Sequence, residues 1–439
     1  MAWDVIVCGG GTAGTAAAIK AGRMGAKVLV VEQFGSLGGT QTNGWVTPMM
    51  PNYIGEFKLS RGVNLDVLEE QSKLQPPGAL SHAEEWYDPT ALALVLDQLA
   101  AEAGVECLFN ATLIGAETEN GKIERIEVAT RGGRSKLAAS CFVDATGDGE
   151  LSYYAGAELM GGNEDGEHQP MTLRFTMGGI DLGSARVALE PYLRLNESDY
   201  MEAGYGEAKD GPMAPLIEKA VEDGVLEPDD LGYFQFFTVT GRSGELAFNA
   251  PRIYGLDPLD PFAMSRAYQV GRTKIYRIAA FMKRSFAGFE NAFVSSIAPL
   301  MGIRESRRVV GDYVLTEDDH LACRKFGDVI ARNRYPIDVH LKKGIDYRKF
   351  PPGEWHDIPY RSLVVKGFDN LWVAGRCLSA TFVAQSAVRI QPVCRAMGEA
   401  AGAAAALCAE RKLSSRDLPY PDLRAQLDLQ VPVPSQVAG

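Results

Sequence analysis

One stretch near the amino terminus constrains the fold of this chain more than any other. Residues 5–32 read VIVCGGGTAGTAAAIKAGRMGAKVLVVE, a pattern that predicts a strand, a glycine turn, a helix and a second strand. Gly9, Gly11 and Gly14 form G-x-G-x-x-G, whose glycines permit the turn, the approach of a pyrophosphate and close helix packing. Glu32 ends the second strand, where a carboxylate can accept hydrogen bonds from both ribose hydroxyls of a nucleotide. The stretch therefore predicts a dinucleotide-binding Rossmann unit.

The glycine motif alone leaves open whether the nucleotide is NAD or FAD. No second G-x-G-x-x-G follows a strand elsewhere in the sequence, which argues against a separate NAD(P)H domain. The chain has seven cysteines but no C-x-x-C, so a disulfide reductase is not favoured. We interpret the cysteines as reduced thiols, as expected in the cytoplasm.

Composition and charge exclude several classes of partner. A chain of 439 residues is long enough for two domains, or for one domain with a large insertion. Its net charge of −12 argues against a nucleic-acid partner and against an anionic membrane surface. No apolar run approaches the ~20 residues of a membrane span. The first strand begins so close to Met1 that we expect no signal or transit peptide.

The segment after the nucleotide motif predicts the rest of a first domain. Residues 34–45 (FGSLGGTQTNGW) are rich in glycine and polar side chains, which favours a second loop lying against the ligand. Asp88 and Pro89 predict the start of a helix that ends near residue 103. Strands are expected at residues 105–109, 122–130 and 136–143. The last two form a hairpin that leads into a glycine-acid turn at residues 144–149, where ligands bind in open α/β sheets.

The middle of the chain changes character. Strands are expected at residues 171–177, 234–240 and 245–251, and helices near 212–223 and 260–286. This mixture predicts an α+β second domain built round a sheet. An aromatic run fits a core better than a substrate site; it comprises Tyr233, Phe234, Phe236 and Phe237. The parallel-sheet pattern returns at residues 371–374, followed by Gly375 and by a helix that starts near Pro392.

These pieces together resemble a known family. The chain is similar to the FAD-dependent oxidoreductases of the glutathione-reductase-like superfamily, and more distantly to fumarate-reductase-like flavoproteins. The pieces that carry the resemblance are CGGGTAG with Glu32, GSLGGTQTNG, DATGDGE, MGIRESRRVVGDYVLTEDD, YPIDVH, IPYRSL, NLWVAGRCLSA and VRIQPVCRAMGEAAG. They cover nearly the whole chain and are specific for fold and cofactor, but not for substrate.

The resemblance implies an FAD cofactor and an α/β fold. We expect a Rossmann-type FAD-binding domain with a parallel sheet and an inserted β-meander, and an α+β substrate domain. The expected division is 1–160 and 356–425 for the FAD-binding domain, 161–290 for the substrate domain, 291–355 for the domain junction with part of the substrate domain, and 426–439 for an extended tail.

Each part of FAD has expected neighbours under this resemblance. The glycine turn would hold the pyrophosphate and Glu32 the adenosine ribose, while backbone at Thr112 and Leu113 would meet the adenine. The helix near Pro392 would point its positive end at the flavin. Arg376 stands where many relatives have an aspartate that binds the ribityl chain. The full set of candidate cofactor-binding residues is Gly9, Gly11, Thr12, Ala13, Gly14, Glu32, Gln33, Gly38, Gly39, Thr40, Asn43, Gly44, Thr112, Leu113, Gly147, Asp148, Gly375, Arg376 and Gln391.

His340 is the favoured proton acceptor among the five histidines. In YPIDVH, Asp338 and His340 would share one face of a strand, so that Asp338 orients the imidazole and raises its basicity. A structural Asp-x-His pair is the alternative, and His168 is the second candidate.

Two arginines and two cysteines complete the set of candidates. Arg304 and Arg389 are suited to hold an anionic or hydroxylated substrate, although an ion pair such as Arg304 with Glu305 is the structural alternative. Cys377 and Cys394 are interpreted as packing residues. We expect no metal site.

Three functions compete on these grounds. The leading hypothesis is an FAD enzyme that oxidises a small polar substrate, an alcohol, sugar or amine, by hydride transfer to flavin N5. The second is the reduction of an activated C=C bond, and the third is a flavin electron-transfer subunit that needs a partner protein. A hydroxylating monooxygenase is less favoured, since nothing indicates how NAD(P)H would be recruited. The sequence leaves open a homo-oligomer and a protein electron acceptor.

Overall fold

The structure is a computed structural model that describes residues 3–74, 86–197, 200–205, 211–342 and 344–432. Among the described helices, none is long and apolar enough to cross a membrane. The helices are α1 (Thr12–Arg23), α2 (Val63–Lys73), α3 (Pro89–Glu102), α4 (Glu150–Ala155), α5 (Leu182–Leu189), α6 (Ala214–Glu222), α7 (Pro261–Ser285), α8 (Glu317–Leu321), α9 (Phe382–Val388), α10 (Gln391–Arg411) and α11 (Tyr420–Arg424). The strands are β1 (Trp3–Cys8), β2 (Val28–Val31), β3 (Tyr53–Ile54), β4 (Phe57–Lys58), β5 (Glu106–Leu108), β6 (Thr112–Glu119), β7 (Lys122–Thr130), β8 (Gly133–Asp144), β9 (Leu159–Gly161), β10 (Met171–Thr172), β11 (Phe175–Gly178), β12 (Leu195–Glu197), β13 (Tyr200–Tyr205), β14 (Phe234–Thr238), β15 (Leu246–Phe248), β16 (Arg252–Ile253), β17 (Phe293–Ile297), β18 (Arg307–Val309), β19 (Val329–Asn333), β20 (Ile337–Leu341), β21 (Gly344–Arg348), β22 (His356–Pro359) and β23 (Leu371–Val373).

A mixed sheet carries the predicted nucleotide motif. Its order is β5-β2-β1-β8-β7-β6, with β23 beside β8, and the strands β5, β2, β1, β8 and β23 are parallel. Both faces are covered, because Val5 and Val7 pack into one hydrophobic cluster and Ile6 and Cys8 into another. This burial explains why the strand is an unbroken apolar run, and it confirms the predicted Rossmann-type sheet.

The predicted meander shares the long strand β8 with the parallel sheet. The carboxyl-terminal half of β8 pairs in parallel with β1, while its amino-terminal half pairs antiparallel with β7, which in turn pairs with β6. The insertion therefore extends the sheet of the Rossmann unit, and β8 delivers residues 144–149 to the same edge as the glycine turn after β1.

A second sheet has the order β12-β13-β14-β15-β11-β17 and is antiparallel. Phe234, Phe236 and Phe237 are fully buried, as predicted. The predicted strand at 171–177 is instead two strands, because β10 pairs with β16 while β11 pairs with β15 and β17. The α+β second part is thus confirmed, and β17, from the junction segment, belongs to its sheet.

The sequence pattern missed several elements. Residues 50–74, which carry little pattern, form the hairpin β3–β4 and helix α2. An extended tail was predicted at residues 426–439. Near its start, however, Leu427 and Leu429 are buried in the main hydrophobic cluster. The end of that tail, residues 433–439, lies outside the described residues.

Helices α1 and α10 pack closely through small residues. A Cβ atom on Gly398 would lie 2.0 Å from the carbonyl oxygen of Ala13, and one on Gly402 would lie 2.1 Å from that of Ala17. Only glycine permits this approach of one helix to the backbone of the other. The contact joins the amino-terminal turn to a helix from the end of the chain.

Gly398→Ala tests this contact. We expect a loss of about 1–3 kcal/mol in the free energy of unfolding, because overpacking must push the two helices apart. Thermal denaturation of the purified protein gives the midpoint. The matched control is Gly327→Ala, whose Cβ would have no atom within 4 Å. Equal midpoints for the two variants would contradict the close-packing account.

Candidate active site

One cavity of about 940 Å³ extends from the glycine turn after β1 to the second sheet. Ligand sites in proteins span about 300–1,000 Å³, so this volume suits a large cofactor together with a small molecule. Most of the predicted site residues line it. They are Gly9, Gly11, Thr12, Ala13, Glu32, Gln33, Gly39, Thr40, Thr112, Leu113, Gly147, Asp148, Arg304, Asp338, His340, Gly375, Arg376, Arg389 and Gln391.

Four predicted residues do not line the cavity and support its walls instead. Gly14 packs the start of α1 on the turn, because a Cβ there would lie 1.8 Å from the carbonyl oxygen of Gly9. Gly38 and Gly44 allow the second loop to fold, since a Cβ on either would lie within 3.0 Å of another atom of that loop. Asn43 bonds within the same loop. Their expected direct contact with a ligand is not supported by this placement.

Glu32 is fixed at the mouth of the glycine turn. One carboxylate oxygen accepts from the backbone N–H of Gly10 at 2.7 Å and the other from that of Phe34 at 2.8 Å. Burial raises the pKa of this carboxyl, and the two backbone hydrogen bonds oppose that shift. Beside it, α1 begins at Gly11 without a side-chain cap, so its first N–H groups face the cavity unpaired.

The turn after β8 is held by charged groups. Arg376 forms an ion pair with Asp148 at 2.9 Å. Arg376 therefore binds the neighbouring turn. Glu150, which sequence reasoning did not select, also lines the cavity. Burial and the charges of Asp148 and Asp144 raise the pKa of Glu150 to about 7.

Gln391 opens α10 and ties it to an early loop. Its side-chain N–H donates to the carbonyl oxygen of Pro48 at 3.0 Å, and its side-chain oxygen accepts from the N–H of Met50 at 3.3 Å. The helix has 21 residues and no side-chain cap at Ile390. Its amino-terminal end, which is the positive end of the helix dipole, lies at the cavity wall.

Asp338 and His340 form the predicted pair on β20. Asp338 Oδ1 lies 3.1 Å from His340 Nε2. Because an ionised carboxylate only accepts, the hydrogen lies on Nε2 and Nδ1 keeps its lone pair. Burial would raise the pKa of Asp338, but the hydrogen bond from His340 and the charges of Arg389 and Arg304 hold it well below its usual range.

Asp338 raises the pKa of His340, as predicted, but the net shift of that pKa is downward. Burial and the nearby charge of Arg252 lower the pKa of His340 to about 3, and these effects outweigh the hydrogen bond to Asp338. The imidazole is therefore neutral at physiological pH. Asp338 orients the ring and raises its basicity, but not enough to offset burial and the charge of Arg252.

Both predicted arginines lie in the cavity wall. The Nη1 of Arg304 donates to the carbonyl oxygen of Pro170 at 2.6 Å, and the Nη2 of Arg389 donates to that of Asp338 at 3.0 Å. Within the described part of the chain, the expected pair of Arg304 with Glu305 is absent. Glu305 instead bonds to Arg308 and, at 2.8 Å, to His168.

His168 does not line the cavity. Its two ring nitrogens face Glu305 at 2.8 Å and Asp257 at 3.5 Å. The hydrogen bond to Glu305 raises the pKa of this imidazole, although burial opposes the shift. The second candidate for the base is therefore placed in a structural ion-pair cluster.

The two cysteines differ in position. Cys377 is buried outside the cavity wall, and burial raises the pKa of its thiol well above the usual value. Cys394 lines the cavity, but burial raises its pKa to about 12, so it is a thiol and not a reactive thiolate. Both observations fit the predicted packing role.

Sequence reasoning missed two buried arginines and several aromatic side chains of the cavity wall. Arg174 and Arg252 are 6% and 1% exposed. One feature of the sequence could have identified Arg174: it lies inside a strand pattern, in TLRFT. Arginine is rarely buried, so its presence there indicates a special role. Tyr233, expected in the core, faces the cavity instead. The other missed aromatic residues are Phe34, Trp86, Tyr335 and Tyr347.

Comparison with known proteins identifies the family. The chain belongs to the FAD dependent oxidoreductase family, whose model matches residues 4–427. The protein is therefore an oxidoreductase and its cofactor is FAD. The cavity fits this group, because it combines the uncapped start of α1, the fixed carboxylate of Glu32 and an open backbone at Gly11, where a Cβ would meet no atom closer than 4.0 Å.

Individual relatives are distant. A 40-residue stretch is 60% identical to the mitochondrial dihydrolipoyl dehydrogenase of Dictyostelium discoideum, which covers 9% of this chain and 8% of that enzyme. The flavin-dependent brominase Bmp2 aligns at 12% identity over 97% of this chain and 83% of its own, with a TM-score of 0.51. A geranylgeranyl bacteriochlorophyll reductase-like protein of Thermoplasma acidophilum aligns at 14% identity over 97% and 82%, with a TM-score of 0.46. At such identities the likeness to Bmp2 concerns the fold alone.

Two other histidines stack away from the cavity. The ring centroid of His320 lies 4.1 Å from that of Phe350 and 4.9 Å from that of His356. Neither ring nitrogen of His320 has a hydrogen-bond partner among the described residues. Burial lowers the pKa of His320 to about 3 and that of His356 to about 4. The fifth histidine, His82, lies outside the described residues.

His320→Phe should flatten the dependence of stability on pH. The unfolded chain protonates this imidazole near pH 6.5, whereas the folded chain keeps it neutral, so stability is lost as the pH falls from 6.5 towards 3. We expect the wild type to lose about 1–2 kcal/mol more than the variant between pH 7 and pH 5. Urea denaturation at both pH values measures this difference, and parallel losses in the two proteins would contradict it.

Proposed function

We propose that this protein oxidises a small polar substrate at a C–H bond next to oxygen or nitrogen, with FAD as the hydride acceptor. The observation that carries the proposal is that one cavity joins the glycine turn and Glu32 to the Asp338–His340 pair. A cofactor bound at the first end would extend towards the second, where an orienting carboxylate and a neutral imidazole provide for proton transfer.

Residues of both ends of the chain would hold the cofactor. The start of α1 would bind the pyrophosphate and Glu32 the adenosine ribose, while Thr112 and Leu113 would meet the adenine. Gly39 and Thr40 would follow the middle of the molecule. The positive end of α10 at Gln391 would stabilise negative charge on the flavin. When bound, FAD supplies a hydride acceptor at N5 of its ring system.

His340 would take the proton that the substrate loses. The substrate carbon loses a hydride and the adjacent O–H or N–H loses a proton, which His340 accepts at Nδ1. Asp338 holds the ring through Nε2–H and stabilises the imidazolium that forms. The low pKa of His340 in the free protein keeps the imidazole unprotonated, so it is available as a base at neutral pH.

Anaerobic reduction of the holoprotein distinguishes this function from the alternatives. Bleaching of the flavin absorbance by alcohols, sugars or amines supports oxidation at C–H. Rapid reoxidation of chemically reduced protein by an activated C=C compound, with no reduction by any donor of the panel, would overturn it in favour of a reductase. Turnover that requires an added partner protein would overturn it in favour of an electron-transfer subunit.

Glu32→Ala should weaken the retention of FAD far more than it weakens the fold. The substitution removes hydrogen bonds between a charged carboxylate and ribose hydroxyls, each worth roughly 1.5–3 kcal/mol. We expect at least a tenfold rise in the dissociation constant of FAD, measured by fluorescence titration of the deflavinated protein. Glu158→Ala is the control, since Glu158 pairs at the surface with Lys366. Unchanged affinity in Glu32→Ala would remove Glu32 from the cofactor site.

His340→Ala should slow the reduction of bound FAD by the substrate by about 10²–10⁴-fold. The flavin spectrum and FAD content should stay near those of the wild type, because the residue acts on the substrate. His340→Asn should be nearly as slow, since an amide cannot accept a proton at neutral pH. Asp338→Asn should lose less, because it disturbs orientation and leaves the base in place.

Stopped-flow absorbance, normalised to bound FAD, measures these rates. His168→Asn is the matched control, because its ring lies outside the cavity wall. A purely structural pair on β20 would lower yield and thermal stability but leave the rate of the remaining folded enzyme unchanged. A normal rate in His340→Ala would therefore rule out His340 as the base.

A further inference from the structure

Four arginines gather at the substrate end of the cavity. This arginine cluster consists of Arg174, Arg252, Arg304 and Arg389, all of which line the cavity. They come from different parts of the fold: the segment between β10 and β11, strand β16, the segment before β18, and the end of α9. Such a group of like charges is electrostatically unfavourable unless negative charges compensate for it.

Compensation within the protein is incomplete. Asp338 lies 3.8 Å from Arg389, but the other three arginines have no carboxylate within salt-bridge distance among the described residues. Arg304 and Arg174 donate to neutral oxygens, of Pro170 and Trp45 respectively. The arginine cluster therefore carries a net positive charge that the described part of the chain does not balance.

Arg252 shows this incomplete compensation most clearly. It is 1% exposed, and two of its guanidinium nitrogens, Nε and Nη1, have no hydrogen-bond partner in the described structure. Its guanidinium lies 4.0 Å from the centroid of the Tyr233 ring, a cation–π contact that keeps it in place without neutralising it. A buried guanidinium with unpaired donors is costly, and an anion bound in the cavity would compensate its positive charge.

The arginine cluster is also adjacent to the proposed base. The Tyr233 ring that Arg252 covers lies 5.9 Å, between centroids, from the His340 ring. Arg389 donates to the backbone oxygen of Asp338, the residue that orients His340. An anion held by the arginine cluster would thus lie close to the group that removes the proton. This suits a short molecule whose acidic group is near the carbon that is oxidised.

We propose that the substrate is a short organic acid, whose carboxylate is held by the arginine cluster beside His340. This inference rests on the function proposed above and names its substrate class. For a hydroxy acid, the carbon loses a hydride to the flavin and the hydroxyl loses its proton to His340, so that an oxo acid forms. The carboxylate keeps its charge throughout and serves only to hold the molecule. Guanidinium groups match the planar carboxylate with paired donors.

The first test compares probes that differ in charge or in the geometry of the anionic group. Malonate, malonamide and inorganic phosphate are titrated into the holoprotein at pH 7, and perturbation of the flavin absorbance gives each dissociation constant. We expect malonate to bind at least tenfold more tightly than malonamide and than phosphate. Equal binding of malonamide, or tighter binding of phosphate, would overturn the assignment of a carboxylate.

The second test removes the unpaired guanidinium. Arg252→Met should weaken malonate binding at least tenfold with FAD content unchanged, and Arg252→Lys should restore part of the affinity. Arg125→Met is the control, because Arg125 lies on β7 and pairs with Glu117 at the surface. Unchanged malonate binding in Arg252→Met, or loss of FAD in place of loss of malonate, would overturn the proposal. If a variant fails to fold, the comparison of malonate with malonamide in the wild type still tests whether the cavity binds a carboxylate.

A third measurement separates this inference from the function on which it rests. Lactate and lactamide are compared as electron donors in anaerobic reduction, and lactate should reduce the flavin faster. If malonate binds tightly but no hydroxy acid, alcohol or amine reduces the flavin, the proposed oxidation fails and the anion site stands. If neutral alcohols reduce the flavin and no carboxylate binds, the anion site fails and the proposed oxidation stands.

Discussion

The contact between α1 and α10 is the constraint on which the rest of the structure depends. Gly398 and Gly402 let the late helix approach the backbone of the early helix at Ala13 and Ala17. Because α10 is anchored there, its amino-terminal end and the residues just before it, Arg389 included, face the cavity that starts at the glycine turn. Residues almost 400 positions apart in sequence thus form one site. The cofactor end and the substrate end are fixed relative to one another by a helix pair that cannot slide without steric overlap.

The sequence predicted those parts of the fold that local rules determine. A parallel strand buried on both faces must be an apolar run, and a phosphate-binding turn requires glycine, so β1, α1 and β2 were predicted together with the meander and the cap at Asp88. Residues 50–74 were not predicted, because their short strands and α2 are stabilised by tertiary packing and carry little periodicity of their own.

The candidate site was predictable to a different degree at its two ends. Glu32 and the glycine turn are specified by spacing along one continuous segment. The arginine cluster is assembled from four separate segments, so the sequence does not show that Arg174 and Arg252 lie near Arg304 and Arg389. The net pKa of His340 was not predictable for the same reason. Its partner Asp338, which raises the pKa, is two residues away and visible in the sequence, whereas burial and the charge of Arg252, which lower it, arise from the fold.

The same arginines that suit an anion also govern the imidazole beside them. In the free protein burial, together with the charges of Arg252 and Arg304, lowers the pKa of His340, so the imidazole is not protonated from solvent at neutral pH. A bound carboxylate would cancel part of that charge and thereby raise the proton affinity of the ring at the moment when a substrate is present. Asp338 would then stabilise the imidazolium, because it is held ionised by Arg389 and Arg304. Binding of an acid would thus convert a weak base into a stronger one, which would couple recognition of the substrate to the chemistry.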